Sequence, residues 1–224
     1  MPIDDATATV VLTVRQRCFY LFCALLALAV AVPFLEGSPR GREVLNAISL
    51  GILVSSACAI GRSMGALVIA LLLAAPAVVF QVLSYSYGEP RLNIMSQGFA
   101  AAFYAITISY LMGYTLRREV LTTDKLYGAA AVFLMLAILW AYLYNILLWA
   151  YPGALTMNGA PMSSAPPSSM LYFSIATLTA TGMSDILPVH PIARTLCSFE
   201  MITGVLFLAV LIARLAGSYP LPTR

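Results

Sequence analysis

Residues Ser169–Gly217 read SMLYFSIATLTATGMSDILPVHPIARTLCSFEMITGVLFLAVLIARLAG. A short apolar segment, Met170 to Leu178, runs into a turn rich in Thr, Gly and Ser, Thr179-Ala180-Thr181-Gly182-Met183-Ser184-Asp185. Pro188, Arg194 and a long apolar stretch with Gly204 near its middle follow. No Asp, Glu, Lys or Arg stands between Lys125 and Asp185. This order predicts a chain that enters a membrane, reverses on irregular backbone and leaves by the side it entered. Irregular backbone survives at membrane depth only where protein buries it or a wet cavity receives it. The turn is therefore the leading functional candidate.

Composition agrees with a bilayer setting. Of 224 residues 61% are hydrophobic and 9% charged, against about a quarter charged in soluble domains. The net charge of +3 is modest, and the basic residues sit near segment ends, so they read as topology signals and not as a nucleic-acid surface. Cys18, Cys23, Cys58 and Cys197 lie in apolar segments without metal or disulfide spacing and are expected as buried small hydrophobes. The single histidine, His190, follows the turn. It reads as a loop residue, with an outer-mouth pH effect as the alternative.

Outward from the turn, uncharged runs mark six spans: Cys18–Leu35, Val44–Ile60, Ser63–Tyr87, Leu92–Leu116, Leu126–Ala150 and Ile192–Ala216. The run ending at Ala29-Val30-Ala31 is read as an uncleaved first span. Pro33 lies near the end of that span, and Pro76 inside the third predicts a kink. Tyr151–Ser168, rich in Pro, Ser, Gly and Ala, reads as an irregular loop. With the N-terminus inside, the inner side holds Arg15, Arg17, Arg62, Arg117, Arg118, Lys125, Arg214 and Arg224; the outer side holds Arg40, Arg42, Arg91 and Arg194. This bias predicts both termini in the cytoplasm and the turn at the outer face. Arg194 and Arg214 stand 20 residues apart, about 30 Å along a helix, which matches the hydrocarbon thickness.

The same stretch resembles the pore module of tetrameric cation channels of the potassium-channel superfamily. There a pore helix leads into a filter written T-x-T-T-V-G-Y-G-D and then an inner helix with a hinge glycine. Thr177, Leu178, Thr179, Gly182 and Asp185 match that pattern, and Pro188, Arg194 and Gly204 stand where such channels often have the same residue types. Ala180 takes the place of the second threonine, Thr181 of the valine, Met183 of the tyrosine and Ser184 of the second glycine. Upstream, Thr122-Thr-Asp-Lys-Leu-Tyr-Gly128 and the Trp/Tyr-rich helix after it look like the outer pore helix of small bacterial six-helix members. The resemblance implies an all-α membrane protein with a re-entrant pore helix and filter, a homotetramer in the bacterial inner membrane, and passive conduction of monovalent cations, potassium or sodium, with no cofactor. It divides the chain into a four-helix region (1–121), a pore module (122–217) and a short tail (218–224).

A filter replaces an ion's water with backbone carbonyls, and carbonyls in a row need dihedrals that glycine reaches without strain. Gly182 can supply them; Ser184 adopts a left-handed conformation only at about 1–2 kcal/mol. Ala180 lacks a hydroxyl, and Met183 cannot make the hydrogen-bonded cuff of the family's tyrosine. A wider, less selective or rearranged turn is expected, with Thr179, Thr181 and Ser184 as hydroxyl ligands. Asp185 at the outer mouth is expected to tie down the turn by hydrogen bonds, with a weak field effect on cations. Glu200, about 9 Å below Arg194, is expected behind the pore helix near Ser174 or Thr177, as filter support. Met201, Val205, Leu208 and Ile212 form one apolar stripe, either a dewetting constriction of the pore or ordinary helix packing. Gly204 is either a bend point or a close-packing site.

The fourth span lacks regular arginines, so a voltage sensor is not indicated. No nucleophile–base pair or phosphate loop is present, which speaks against an enzyme. The alternatives are a non-conducting, channel-like subunit and a secondary transporter. A transporter predicts internal repeats, and none is visible in the sequence.

Overall fold

The computed structural model describes residues 17–38, 41, 44–45, 48, 51–52, 64–115 and 122–217. Six continuous helices are described: α1 (Arg17–Leu35), α2 (Met64–Tyr87), α3 (Pro90–Thr115), α4 (Thr123–Ala150), α5 (Pro167–Leu178) and α6 (Pro191–Gly217). The chain is an all-α membrane protein in architecture. Four of these helices, α1, α3, α4 and α6, are long and apolar enough to span, and α2 carries a shorter apolar stretch, Leu71–Tyr87. Most of the second expected span, Val44–Ile60, lies outside the described residues, as do Cys58, the charged linker residues Arg117 and Arg118, and Arg15, Arg40, Arg42, Arg62 and Arg224.

α4 is the axis of the fold. Thr122 caps it, its hydroxyl accepting from Lys125 N, and Asp124 in the first turn complements the helix dipole. Its 28 residues extend about 42 Å, and Pro152 follows its last turn. α1, α3, α5 and α6 all pack against it. At Gly128 the crossing with α1 and α3 is tight: an added β-carbon would lie 3.3 Å from Thr115 Oγ1 and 3.4 Å from Cys18 Sγ. Leu21, Leu25, Ile52, Phe103, Ala131, Val132 and Met135 fill the core on this side. α2 lies on α3, where the Ser96 hydroxyl donates to Ala77 O at 2.7 Å and Phe80 stacks on Phe99. Helix α2 continues through Pro76.

The expected irregular loop after α4 is partly ordered. Leu155–Met157 (β1) and Ala160–Pro161 (β2) form a hairpin about Asn158-Gly159, both in left-handed conformation with φ of 50° and 82°. This is the two-residue turn that asparagine–glycine favours. Ile186–Pro188 (β3), directly after the Thr/Gly/Ser turn, pairs antiparallel with β1, Ile186 opposite Met157. The sheet order is β2-β1-β3. A second core of Tyr144, Leu148, Leu155, Met170, Phe173, Ile186 and Ala193 joins this small sheet to α4, α5 and α6.

Cys18 and Cys197 are buried, but Cys23 is exposed on α1. The expectation of burial fails there because that face of α1 meets no other described part of the chain.

Candidate re-entrant pore site

α5 has 12 residues, about 18 Å, well short of the about 30 Å a span needs. It starts on Pro166-Pro167, where proline's fixed φ suits the first turn and its missing N–H costs nothing. It ends in a Schellman closure. Thr179 takes the cap, Ala180 turns left-handed at φ 55°, Ala180 N donates to Thr177 O (2.9 Å) and Thr181 N to Ala176 O (3.0 Å). Gly182, at φ 66°, donates to the same Ala176 O at 3.2 Å. The hydroxyls follow the backbone: Thr181 Oγ1 donates to Ala176 O and Thr179 Oγ1 to Ile175 O. The two hydroxyls lie 3.2 Å apart. The left-handed residue that glycine usually supplies is thus an alanine, while Ser184 stays out of that region. Ser184 instead uses its side chain, which accepts from Ile186 N. Among the described residues no N–H reaches the carbonyls of Thr179, Ala180, Thr181 or Met183. Met183 itself is exposed.

Behind the helix lies a buried polar cluster. Glu200 on α6 is fully buried. Its Oε1 is 2.5 Å from Ser174 Oγ on α5, and its Oε2 accepts from Tyr144 OH on α4 at 2.5 Å. Ser174 also contacts Ala137 O at 2.8 Å, and Tyr144 reaches Cys197 Sγ at 3.3 Å. Three helices are thereby joined by charge-assisted or strong hydrogen bonds at one level. Thr177 is not part of this cluster; its hydroxyl donates to Phe173 O within α5. Tyr144 was not singled out from the sequence, and Cys197 was read there only as a buried small hydrophobe. An unbroken apolar helix around Tyr144 gives no local sign of its partner, which lies 56 residues away.

The far end of the turn is held by the sheet. Asn158 N donates to Asp185 O at 3.1 Å, and Val189 N and His190 N both donate to Ala154 O. Asp185 thus makes its hydrogen bond to the sheet through its backbone carbonyl, and the residue itself is exposed. His190 stacks on Tyr151 with ring centroids 5.0 Å apart, and its Nδ1 accepts from Ile192 N.

Residues 130–218 match a family model described as an ion channel. These residues are an ion-channel domain of the potassium-channel superfamily type. No curated protein and no solved structure matches the chain.

In the channel domain α6 presents two different faces. Gly204 is buried against the end of α5, where an added β-carbon would lie 1.8 Å from Leu178 O. This close approach leaves no room for a side chain at that position. Met201, Val205, Leu208 and Ile212 are all exposed on the chain, as are Phe199, Ile202, Leu206 and Val210. Among the described residues nothing covers this surface.

Proposed function

We propose that the chain is a passive channel for monovalent cations, with Thr179–Ser184 as its ion-selecting turn. The observation that carries this reading is the half-length helix α5 ending in an irregular turn, held between α4 and α6 within the matched channel domain. One copy supplies one such turn, and one turn cannot enclose an axis. Four copies around a symmetry axis bring four turns together and cover the apolar surface of α6. The carbonyls of Thr179 to Met183, with the Thr179 and Thr181 hydroxyls, are the groups that replace ion hydration. Glu200, Ser174 and Tyr144 support the turn from behind. Met201, Val205, Leu208 and Ile212 line the inner passage, where an apolar ring gates by dewetting. Asp185 adds a negative charge at the outer mouth. The turn departs from TVGYG at four positions, so potassium selectivity is expected to be low.

A second reading has its own support. Thr181 N, Gly182 N and Thr181 Oγ1 all fold back on Ala176 O, which pulls the turn toward its helix and away from an extended carbonyl ladder. A turn fixed in that form belongs to a non-conducting, channel-like subunit. Flux assays on purified protein in liposomes separate the two, with potassium, sodium and a large organic cation as test ions. Flux of potassium and sodium without the organic cation is the expected result. Potassium flux alone would refute the expected loss of selectivity. No flux from a sample shown to be tetrameric would establish the second reading.

A further inference from the structure

The first helix is bonded to the channel domain at both of its ends, and at each end the bond is a carboxylate on a helix's first turn. At one end Cys18 N, in the first turn of α1, donates to Asp124 Oδ1 at 3.0 Å, and Tyr114 OH donates to Asp124 Oδ2 at 3.3 Å. Asp124 opens α4, the outer helix of the domain. At the other end Glu36, just after α1, meets the start of the pore helix. Ser168 N donates to Glu36 Oε2 at 2.9 Å, and Ser168 Oγ donates to Glu36 Oε1. The partners are 132 residues apart in the chain.

The pore helix needs this partner. Its N-cap is Pro166, which has no side-chain oxygen and makes no capping bond. Pro167 has no N–H to satisfy. Ser168 therefore carries the first free donor of the helix, and the group that takes it comes from another helix. A carboxylate at that point also opposes the positive end of the helix dipole. Between the two bonds, α1 packs along α4, tightly at Gly128, and touches α5.

We propose that Glu36 is a positioning residue of the pore helix, and that α1 is a fixed strut of the channel domain that sets where the ion-selecting turn sits. This rests on the channel reading above, but its structural part is testable without conduction. The strut has one anchor at each membrane face, so the pore helix is held from its first turn by α1 and from its last turn by Gly204 of α6. A displacement of the Asp124 end is passed along α1 to Ser168.

The test compares the native protein with Glu36→Ala, Glu36→Gln and Ser168→Ala in liposomes, by amide hydrogen exchange and by the potassium-to-sodium flux ratio. Alanine at 36 removes both hydrogen bonds, and exchange of Ser168–Tyr172 is expected to rise about fivefold, the effect of losing a typical cap. Glutamine keeps both, its oxygen accepting from Ser168 N and its amide donating to Ser168 Oγ, and is expected to restore native exchange and the native flux ratio. Ser168→Ala removes only the hydroxyl and is expected to give a smaller rise at the same amides, so the contact is read even if Glu36→Ala assembles poorly. The proposal is overturned if pore-helix exchange is native in Glu36→Ala and in Ser168→Ala. A changed exchange with an unchanged flux ratio refutes the positioning of the turn and leaves a merely structural tie. Native protein without flux sinks the channel reading alone, since exchange still decides whether α1 holds the pore helix.

Discussion

Replacing Gly204 with alanine tests whether α6 is pressed onto α5 or free to bend there. A β-carbon at this position lies 1.8 Å from Leu178 O and 2.8 Å from Leu178 C. A relaxed carbon–oxygen contact is about 3.3 Å, so α5 and α6 must part by about 1.5 Å. Leu178 is fully buried, and the clashing atoms are backbone, so no rotamer change relieves the overlap. Overpacking of this kind costs about 1–3 kcal/mol, while alanine's helix propensity returns about 1 kcal/mol. The net expectation is a loss of up to about 2 kcal/mol, with the turn displaced from its place. Thermal unfolding followed by tryptophan fluorescence is a suitable assay, because Trp140 and Trp149 both lie on α4, which packs against both partners. Flux measured on the same sample reads the turn. A variant with the native unfolding midpoint and native flux would refute the packing argument. Rescue by a second change, Leu178→Ala, would refute it as well, since trimming a side chain leaves the backbone oxygen where it was.

Other changes probe the remaining parts of the site. Glu200→Gln is expected to keep the fold within about 1 kcal/mol, because an amide donates to Ser174 Oγ, which donates on to Ala137 O, and accepts from Tyr144; Glu200→Ala leaves a cavity and unmet hydroxyls and is expected to lower stability by about 3 kcal/mol, both read by thermal unfolding. Ala180→Gly relieves a left-handed alanine and is expected to raise stability by about 0.5–1 kcal/mol; a lower unfolding midpoint would contradict the Schellman closure. Gly159→Ala places a side chain at φ 82° and is expected to cost about 1 kcal/mol, with faster amide exchange in β3 as the local readout.

The helices were legible because an uncharged run of span length has few other ways to fold in a bilayer. Where the described residues show a helix start, it lies one to three residues earlier than expected, because the Thr122 cap and the first-turn prolines Pro90, Pro167 and Pro191 extend the helices with residues that hydrophobicity does not register. The hairpin at Asn158-Gly159 carried a readable dipeptide, but strands of three and two residues are too short to show alternation. Depth counted at 1.5 Å per residue brought Glu200 to the level of the pore helix, where it meets Ser174; nothing local pointed to Tyr144. Glycine arguments found Gly182 and gave reason for Ser184 to avoid a left-handed turn. They missed Ala180, because a helix closure is set by where the helix must stop and not only by which residue closes it most easily. The tie between Glu36 and Ser168 joins distant parts of the chain, and no sequence pattern reports it.

The small sheet has a consequence for length. The segment from Thr179 to Asp185 runs between two fixed points, the end of α5 and the pairing of Ile186 with Met157. An added or missing residue there has to be absorbed by the turn itself or by the register of β3. A one-residue slip of β3 would turn Ile186, now fully buried, to the other side of the sheet. Insertions are therefore tolerated at the hairpin tip, beside the exposed Gly159, and not in the turn it secures. A tag or reporter for this protein belongs at that tip.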